Sequence, residues 1–367
     1  MAGNLDRGFW SRHYHRARCL GPTTGPNTWN SLVNVEDTIR HSNDPLAFAA
    51  HRLARDGQAA LATVISTWGS APVPVGGQMA VAMDGHFEGS VSSGCIEADA
   101  VIQALDAMAT DTVKVLEFGI DDDVAWRAKL ACGGKLVVMV EPLTRERDSL
   151  HLSKILTARQ TRSPLVVRTH IASGQRMVFD TPFDAPADAA KCLDTGDSSL
   201  NGEGIDLSFC HALMPVVHLI VVGATETGQV LAALARLLGW KITIIDPREA
   251  FASDHRFSGF DTRIAWPGAA LPDLAPDART AIVALTHSSQ IDDETLRVAL
   301  EAPCFYIGAL GSRKSHVARV ERLSAAGMTS DNLSRIHAPV GLDIKAKSPA
   351  EIAVSILAEI IASKHGG

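Results

Sequence analysis

The chain has 367 residues, 46% of them hydrophobic and 20% charged, with a net charge of −7. This length calls for two or three domains, and the negative charge excludes a general attraction to nucleic acid or anionic lipid. No apolar run approaches the roughly 20 residues that span a bilayer.

Residues 1–33 carry Arg, His, Gly, Pro and Asn and no apolar stretch of signal type, so a flexible leader on a cytoplasmic protein is expected. The six cysteines (Cys19, Cys95, Cys132, Cys192, Cys210, Cys304) lie far apart with no C-x-x-C. That pattern fits reduced thiols and lacks the spacing of a structural zinc site. The first expected helix covers residues 45–56, with Asp44 as cap, Pro45 in the first turn and Gly57 as stop. "AALATVIST" follows as a strand, and "GSAPVPVGG" as a Gly/Pro loop. "QMAVAM" and "HFEGSV" read as two strands joined by a two-residue hairpin at Asp84-Gly85. After Cys95, apolar residues at Ile96, Ala100, Val101, Ala104, Leu105 and Met108 have helical spacing. "VKVLEFG" is a strand, and Cys132-Gly133-Gly134 precedes the apolar strand "KLVVMVEPL". A helix over 149–160 and a hairpin turning at Ser173-Gly174 come next. Residues 184–206, rich in Asp, Ala, Gly, Ser and Pro, read as an irregular linker.

From residue 216 the rhythm changes to strand, turn, helix, strand. "VVHLIVVG", "KITIID", "TAIVALT" and "CFYIGAL" are strands, and helices are expected over 292–300 and 313–326. The final helix opens with Ser348 as cap, Pro349 in the first position and Glu351 completing a capping box. The fold class expected is α/β: an N-terminal mixed α+β domain (34–183), a linker (184–214) and a Rossmann-like doubly wound parallel sheet (215–364).

Two places suggest chemistry. In the C-terminal part the turn reads Gly223-Ala224-Thr225-Glu226-Thr227-Gly228. The first and third glycines of a dinucleotide fingerprint are present, the second is Thr225, and Glu226 puts negative charge where phosphate would sit. Asp246 ends the second strand, where an acid meets a ribose hydroxyl. His287 and Gly311-Ser312-Arg313 follow later strands at the same edge. The Gly311–Arg313 turn offers amides and a cation to an anion, or is simply a turn with a solvated arginine. In the N-terminal part, Ser93-Gly94-Cys95 precedes a helix carrying Glu97. A helix N-terminus favours a thiolate, so Cys95 is either a reactive or metal-facing thiol or a small buried side chain. Cys132, beside Gly133 and Gly134, poses the same choice; two such loops suit a soft atom such as sulfur or a transition metal. Glu97 is a site residue or a first-turn acid that stabilises its helix.

Several stretches together resemble one family. "TWGSAPVPVGGQMAV", "GSVSSGCIEADAV" and "LACGGKLVVMVEP" are similar to the N-terminal domain of the XdhC/CoxI family; "IIDPRE", "VALTH", "YIGALGSRKS" and "IHAPVGLDIKAKSPAEIAVSILAEIIA" are similar to its Rossmann-type domain. The resemblance covers residues 34–364. It implies an accessory protein of xanthine dehydrogenase, a chaperone rather than a turnover enzyme. Such a chaperone holds a molybdopterin-type molybdenum cofactor as cargo, alone or in a dinucleotide form. It supports sulfuration of the cofactor with a cysteine desulfurase, and delivers it to the large subunit of a molybdoenzyme of the xanthine dehydrogenase, aldehyde oxidase or CO dehydrogenase type. A homodimer is implied as well. The implied cofactor-binding residues are Ser93, Gly94, Cys95, Glu97, Cys132, Gly133, Gly134, Gly223, Gly228, Asp246, His287, Gly311, Ser312 and Arg313, with Cys95 and Cys132 as candidate sulfur or molybdenum-end thiols. The chain departs from the family at Ser93, at Thr225-Glu226 and at Val73, where an arginine is frequent. An NAD(P)-dependent oxidoreductase with a degenerate turn, or a sulfur-transfer enzyme using Cys95, are the competing readings.

Overall fold

The computed structural model describes residues 44–119, 134–252 and 256–366. Helix α1 (Pro45–Asp56) starts at Asp44, whose carboxylate accepts from the amides of Leu46 and Ala47, and stops at Gly57 with φ +83°. Strand β1 (Gln58–Trp68) follows, then β2 (Gln78–Ala82) and β3 (Phe87–Gly89), helix α2 (Glu97–Thr110), β4 (Lys114–Phe118), β5 (Lys135–Thr144) and α3 (Arg145–Gln160). The five strands form one antiparallel sheet in the order β3-β2-β1-β5-β4. The alternation in β1 explains its near-continuous apolar run. Ala60, Ala62 and Val64 pack with α2 on one face, and Ala59 and Leu61 pack with α1 and α3 on the other. The β2–β3 connection is wider than the expected two residues. Ala82 N–H donates to His86 C=O, and Asp84 is drawn aside as an acceptor for His86 N–H and a partner of Arg52.

Strands β6 (Leu165–His170) and β7 (Arg176–Phe179) make the expected hairpin. The linker expected over 184–214 is corrected by the structure. Helix α4 (Ala187–Thr195) and strands β8 (Ser199–Asn201) and β9 (Ser208–Leu213) lie within it, and these strands complete a four-stranded sheet in the order β7-β6-β9-β8. Its small residues are packing residues: Ala189 and Cys192 of α4 close over Val166 and Cys210. A largely buried ionic cluster joins this sheet to the first, with Arg176 bonded to Glu141 and Asp148.

The C-terminal part is a doubly wound parallel sheet. Strand β10 (His218–Val222), helix α5 (Glu226–Leu237), β11 (Lys241–Ile245), β12 (Asp261–Arg263), α6 (Pro267–Asp273), β13 (Thr280–Ala284), α7 (Ser289–Glu301), β14 (Tyr306–Ala309), α8 (Arg313–Ala325), α9 (Ser330–Ser334), β15 (Ile336–His337) and α10 (Pro349–Lys364) follow in order. The sheet order β12-β11-β10-β13-β14-β15 is the 3-2-1-4-5-6 pattern of dinucleotide-binding sheets. Helices α5 and α10 cover one face and α6, α7 and α8 the other. Arg162, bidentate on Asp277 and bonded to the carbonyl of Val216, fastens the loop after α3 to this sheet.

The segment "IHAPVGLDI" packs the last helix. Tyr306 Oη donates to Glu359 at 2.5 Å, Gly341 N–H to the same carboxylate at 2.7 Å, and His337 stacks on Tyr306. Gly308 and Gly341 are glycines for lack of room: a Cβ on Gly308 would meet Val340 and Tyr306, and one on Gly341 would meet Ser355. The capping box of Ser348 and Glu351 is formed.

Candidate functional site

The N-terminal motifs meet at one end of the five-stranded sheet. Trp68 at the end of β1 pairs with Lys135 at the start of β5, Phe118 at the end of β4 pairs with Leu136, and Gly89 at the end of β3 pairs with Met79 near the start of β2. The loops that follow β1 and β3 and the one that precedes β5 therefore emerge together. Gly134 lies against the first of them. A Cβ there would stand 2.7 Å from Ser70 O and 3.0 Å from Trp68 O. Val73, at the position where an arginine is frequent in the family, instead packs into the core that holds Val91 and Ile96. Cys132 and Gly133 lie outside the described residues.

The loop bearing Cys95 is wound around one carboxylate. Glu97 Oε1 accepts from Ser90 Oγ (2.5 Å), Val91 N–H (3.3 Å) and Ser92 N–H (2.9 Å). Its Oε2 accepts from Ser92 Oγ (2.6 Å), Gly94 N–H (2.8 Å) and Ile96 N–H (3.2 Å). Burial by itself would raise the carboxyl's pKa; the bonds from Ser90 and Ser92 outweigh it and hold the group at about 2. Glu97 is thus the post on which the loop is built, and its carboxylate is turned inward. The loop amides of Val91, Ser92 and Gly94, and that of Ile96 just before the helix, are spent on it. Cys95 itself is exposed, which removes the buried-filler reading, while Cys192, Cys210 and Cys304 are buried. Ser93, beside it, is exposed at φ +59°, outside the usual range of a residue with a Cβ. Trp68, 69% exposed, stands at the same end of the sheet.

The second group of candidates lies at the carboxyl edge of the parallel sheet, where strand order reverses between β10 and β13. Gly223 (φ +118°) must be glycine, because a Cβ would lie 2.9 Å from Leu285 C and 3.0 Å from Thr286 N; Gly228 must be, because a Cβ would lie 2.6 Å from Gly223 O. Both serve the tight turn. Thr225 caps α5, its hydroxyl accepting from Gly228 N–H at 3.2 Å, and Glu226 is exposed in the first turn. Asp246 is wholly buried and committed. It accepts from Ala224 N–H (2.8 Å) and from Arg248 N–H (2.9 Å), Nε (2.8 Å) and Nη2 (2.7 Å). Burial opposes its ionisation, but the Arg248 bonds and the Ala224 amide hold its pKa below the ordinary range. The expected ribose contact is therefore not free at Asp246. Arg248, stacked over Phe251 at 4.1 Å, presents the charge at that strand end instead.

Two more loops reach this edge. His287 is exposed at φ +59°, between Thr286 and Ser288; such a backbone persists where its surroundings hold it. Below it Asp292 accepts from Thr286 N–H and Oγ1 (3.2 and 2.5 Å). Gly311 (φ +137°), Ser312 and Arg313 form the turn into α8, where Ser312 Oγ accepts from Ser315 N–H at 3.1 Å. Arg313 is exposed, and Asp343 lies close enough to feel its charge, so the segment after His337 reaches this rim as well as packing α10. The structure thus gathers Ser93, Gly94, Cys95, Glu97 and Gly134 at one sheet end, and Gly223, Gly228, Asp246, His287, Gly311, Ser312 and Arg313 at another sheet edge. Sequence reasoning missed Arg248 and Arg319. Arg319 was legible: His316, Arg319 and Leu323 share one helical face, and Leu323 is buried. Among the described residues, no group of three His, Cys, Asp or Glu side chains is placed to hold a metal, and no helix is long and apolar enough to cross a membrane.

An α+β unit carrying a thiol loop and a Rossmann sheet with an altered first turn define a two-part class of protein. Residues 219–360 match the XdhC Rossmann domain and residues 52–119 the XdhC and CoxI family. A Bacillus subtilis protein, named as a probable xanthine dehydrogenase subunit, is 30% identical over 322 residues, 84% of this chain and 93% of its own. The Escherichia coli molybdenum cofactor insertion chaperone PaoD is 29% identical over 316 residues, 86% of each chain. A solved Bacillus halodurans structure described as a xanthine dehydrogenase superposes with a TM-score of 0.70 at 23% identity, over 88% of this chain and 96% of that one, a likeness of fold. The chain belongs to the XdhC and CoxI family.

Proposed function

We propose that the protein is a cytoplasmic chaperone that holds a molybdopterin-type molybdenum cofactor and delivers it to the large subunit of a molybdoenzyme of the xanthine dehydrogenase class. The carrying observation is similarity along most of both chains to a relative named as a molybdenum cofactor insertion chaperone. The exposed thiol of Cys95, on a loop fixed by Glu97, supports a role at the molybdenum end, in holding the metal or receiving sulfur from a cysteine desulfurase. The carboxyl edge of the Rossmann sheet is the place for the pterin phosphate, or for the nucleotide of a dinucleotide form. The phosphate belongs beside Gly311–Arg313 rather than in the first turn, where Ala224 N–H is spent on Asp246 and Glu226 repels anions. The same bond leaves less support for an NAD(P)-dependent oxidoreductase. A homodimer would bring two such cargoes to its client.

The test is to make the protein in cells with intact molybdopterin synthesis and to measure the pterin that co-purifies, by fluorescence after oxidation. Near-stoichiometric pterin, reduced in Cys95→Ala, is expected. A protein without pterin that also fails to activate any molybdoenzyme of this class overturns the proposal. Mass spectrometry for a Cys95 persulfide, after incubation with a cysteine desulfurase and cysteine, decides the sulfur role.

A further inference from the structure

Arginines near the carboxyl edge of the parallel sheet differ in how their nitrogens are used. Arg248 forks onto Asp246 and Arg322 onto Asp293, while Arg256 gives Nη1 to the carbonyls of Ala224 and Phe251. Arg319 is different. It is only 5% exposed and gives one bond, Nη2 to the carbonyl of Leu310 at 2.7 Å. Its Nε and Nη1 are buried and have no hydrogen-bond partner. Buried guanidinium donors left unpaired are costly, so they require an explanation. One turn earlier on the same helix face, His316 Nδ1 is also buried without a partner.

The guanidinium that carries these donors reaches, through its Nη2, the turn that follows β14. Leu310, whose carbonyl orients Arg319, follows β14; Gly311 and Ser312 then lead into α8, a helix of 13 residues whose first amides have no intrahelical acceptor. A Cβ on Gly311 would lie 3.6 Å from Arg319 Nη2 and 3.3 Å from Ser315 Cβ, so a side chain there would stand beside the guanidinium. Two acids act on Arg319 through their charge and both are engaged elsewhere: Asp292 Oδ1 accepts from Thr286, Asp293 pairs with Arg322, and Arg319 makes no ion pair among the described residues.

We infer that Arg319 is the buried cationic anchor of an oxyanion site at the Leu310–Ser315 turn, which takes a phosphate or pyrophosphate group. As the cofactor's phosphate site it rests on the proposed function; as an anion site it stands on Arg319 and the turn above it. Arginine suits the role because its planar fork matches phosphate and its charge persists in a buried setting.

The experiment is calorimetric titration of the full chain, free of pterin, with inorganic pyrophosphate, comparing wild type with Arg319→Gln and Ser315→Asp. Ser315 is exposed, and an aspartate there favours the start of α8 while repelling an anion. The wild type is expected to bind, and both variants to bind about ten- to a hundredfold more weakly, the range for a lost charged hydrogen bond. Arg319→Gln counts only if its thermal melt shows a folded protein; Ser315→Asp decides the matter either way. A wild type that does not bind pyrophosphate, or Ser315→Asp binding within twofold of it, overturns the site. Pterin co-purification is scored separately. Pterin retained without this anion site leaves the chaperone reading standing and removes the inference. Pyrophosphate binding lost in both variants, in a protein that never carries pterin, does the reverse.

Discussion

The Cys95 loop and the first turn of the Rossmann sheet are both bends into a helix, and in both a buried carboxylate collects the backbone amides. Glu97 comes from the helix that the loop enters and takes up four amides and two hydroxyls. Asp246 comes from the neighbouring strand and takes Ala224 N–H together with Arg248. The difference lies in what is left outward: a thiol in one case, and the acid Glu226 in the other. In each turn the carboxylate competes with a phosphate for the amides it holds. The turn at Gly311, with no carboxylate bonded inside it, is the contrasting case.

The largest expected effect tests whether Glu97 is the post of its loop. Glu97→Gln should cost about 3 kcal/mol in denaturant unfolding, as an amide group replaces one acceptor among six donors. The sign with pH follows from the depressed carboxyl. Its contribution is complete above the ordinary value of 4.5 and is lost as pH falls from there through about 2. The gap between wild type and variant should therefore close over that window; a gap constant from pH 6 to pH 2 would break the comparison. Next, Gly134→Ala should cost about 2 kcal/mol, because the added methyl meets two backbone oxygens rather than movable side chains; an unchanged melting temperature would mean that the two loops do not abut. Asp246→Asn should cost about 1–2 kcal/mol, since the amide still accepts but no longer pairs with Arg248. If it also created tight NADH binding, read by nicotinamide fluorescence, the first turn would be a masked nucleotide site. The smallest effect is that of Cys95→Ser, within about 0.5 kcal/mol of wild type for an exposed residue. Activation of a client molybdoenzyme should nonetheless fall sharply, and a fully active variant would leave the loop without a chemical role.

The parallel sheet was legible because its strands are buried on both faces and its helices carry caps at the expected residues, Ser348 and Glu351 among them. The four-stranded sheet was not. Ala189, Cys192 and Cys210 are small packing residues whose composition resembles a linker, and only long-range pairing of β9 with β6 reveals them. In the site, the glycines and Cys95 could be picked out by type. The inward turn of Glu97 could not, because an acid in the first turn of a helix looks the same whether it faces solvent or gathers a loop. Asp246 is a related case: its place at the strand end was legible, but its bond to Arg248, two residues on, was not.

Helix α10 has a bearing on synthesis. Ala353, Ile356 and Ile360 are wholly buried in the core that Leu219 and Val221 of β10 help to form, and Glu359 clasps Tyr306 and Gly341. Each buried isoleucine is worth about 1.5–3 kcal/mol. A ribosome that has made β10 through β15 has therefore not yet supplied one wall of their core. The antiparallel sheet can close while that half waits, so a message truncated before residue 353 should yield a folded first half trailing an aggregation-prone second.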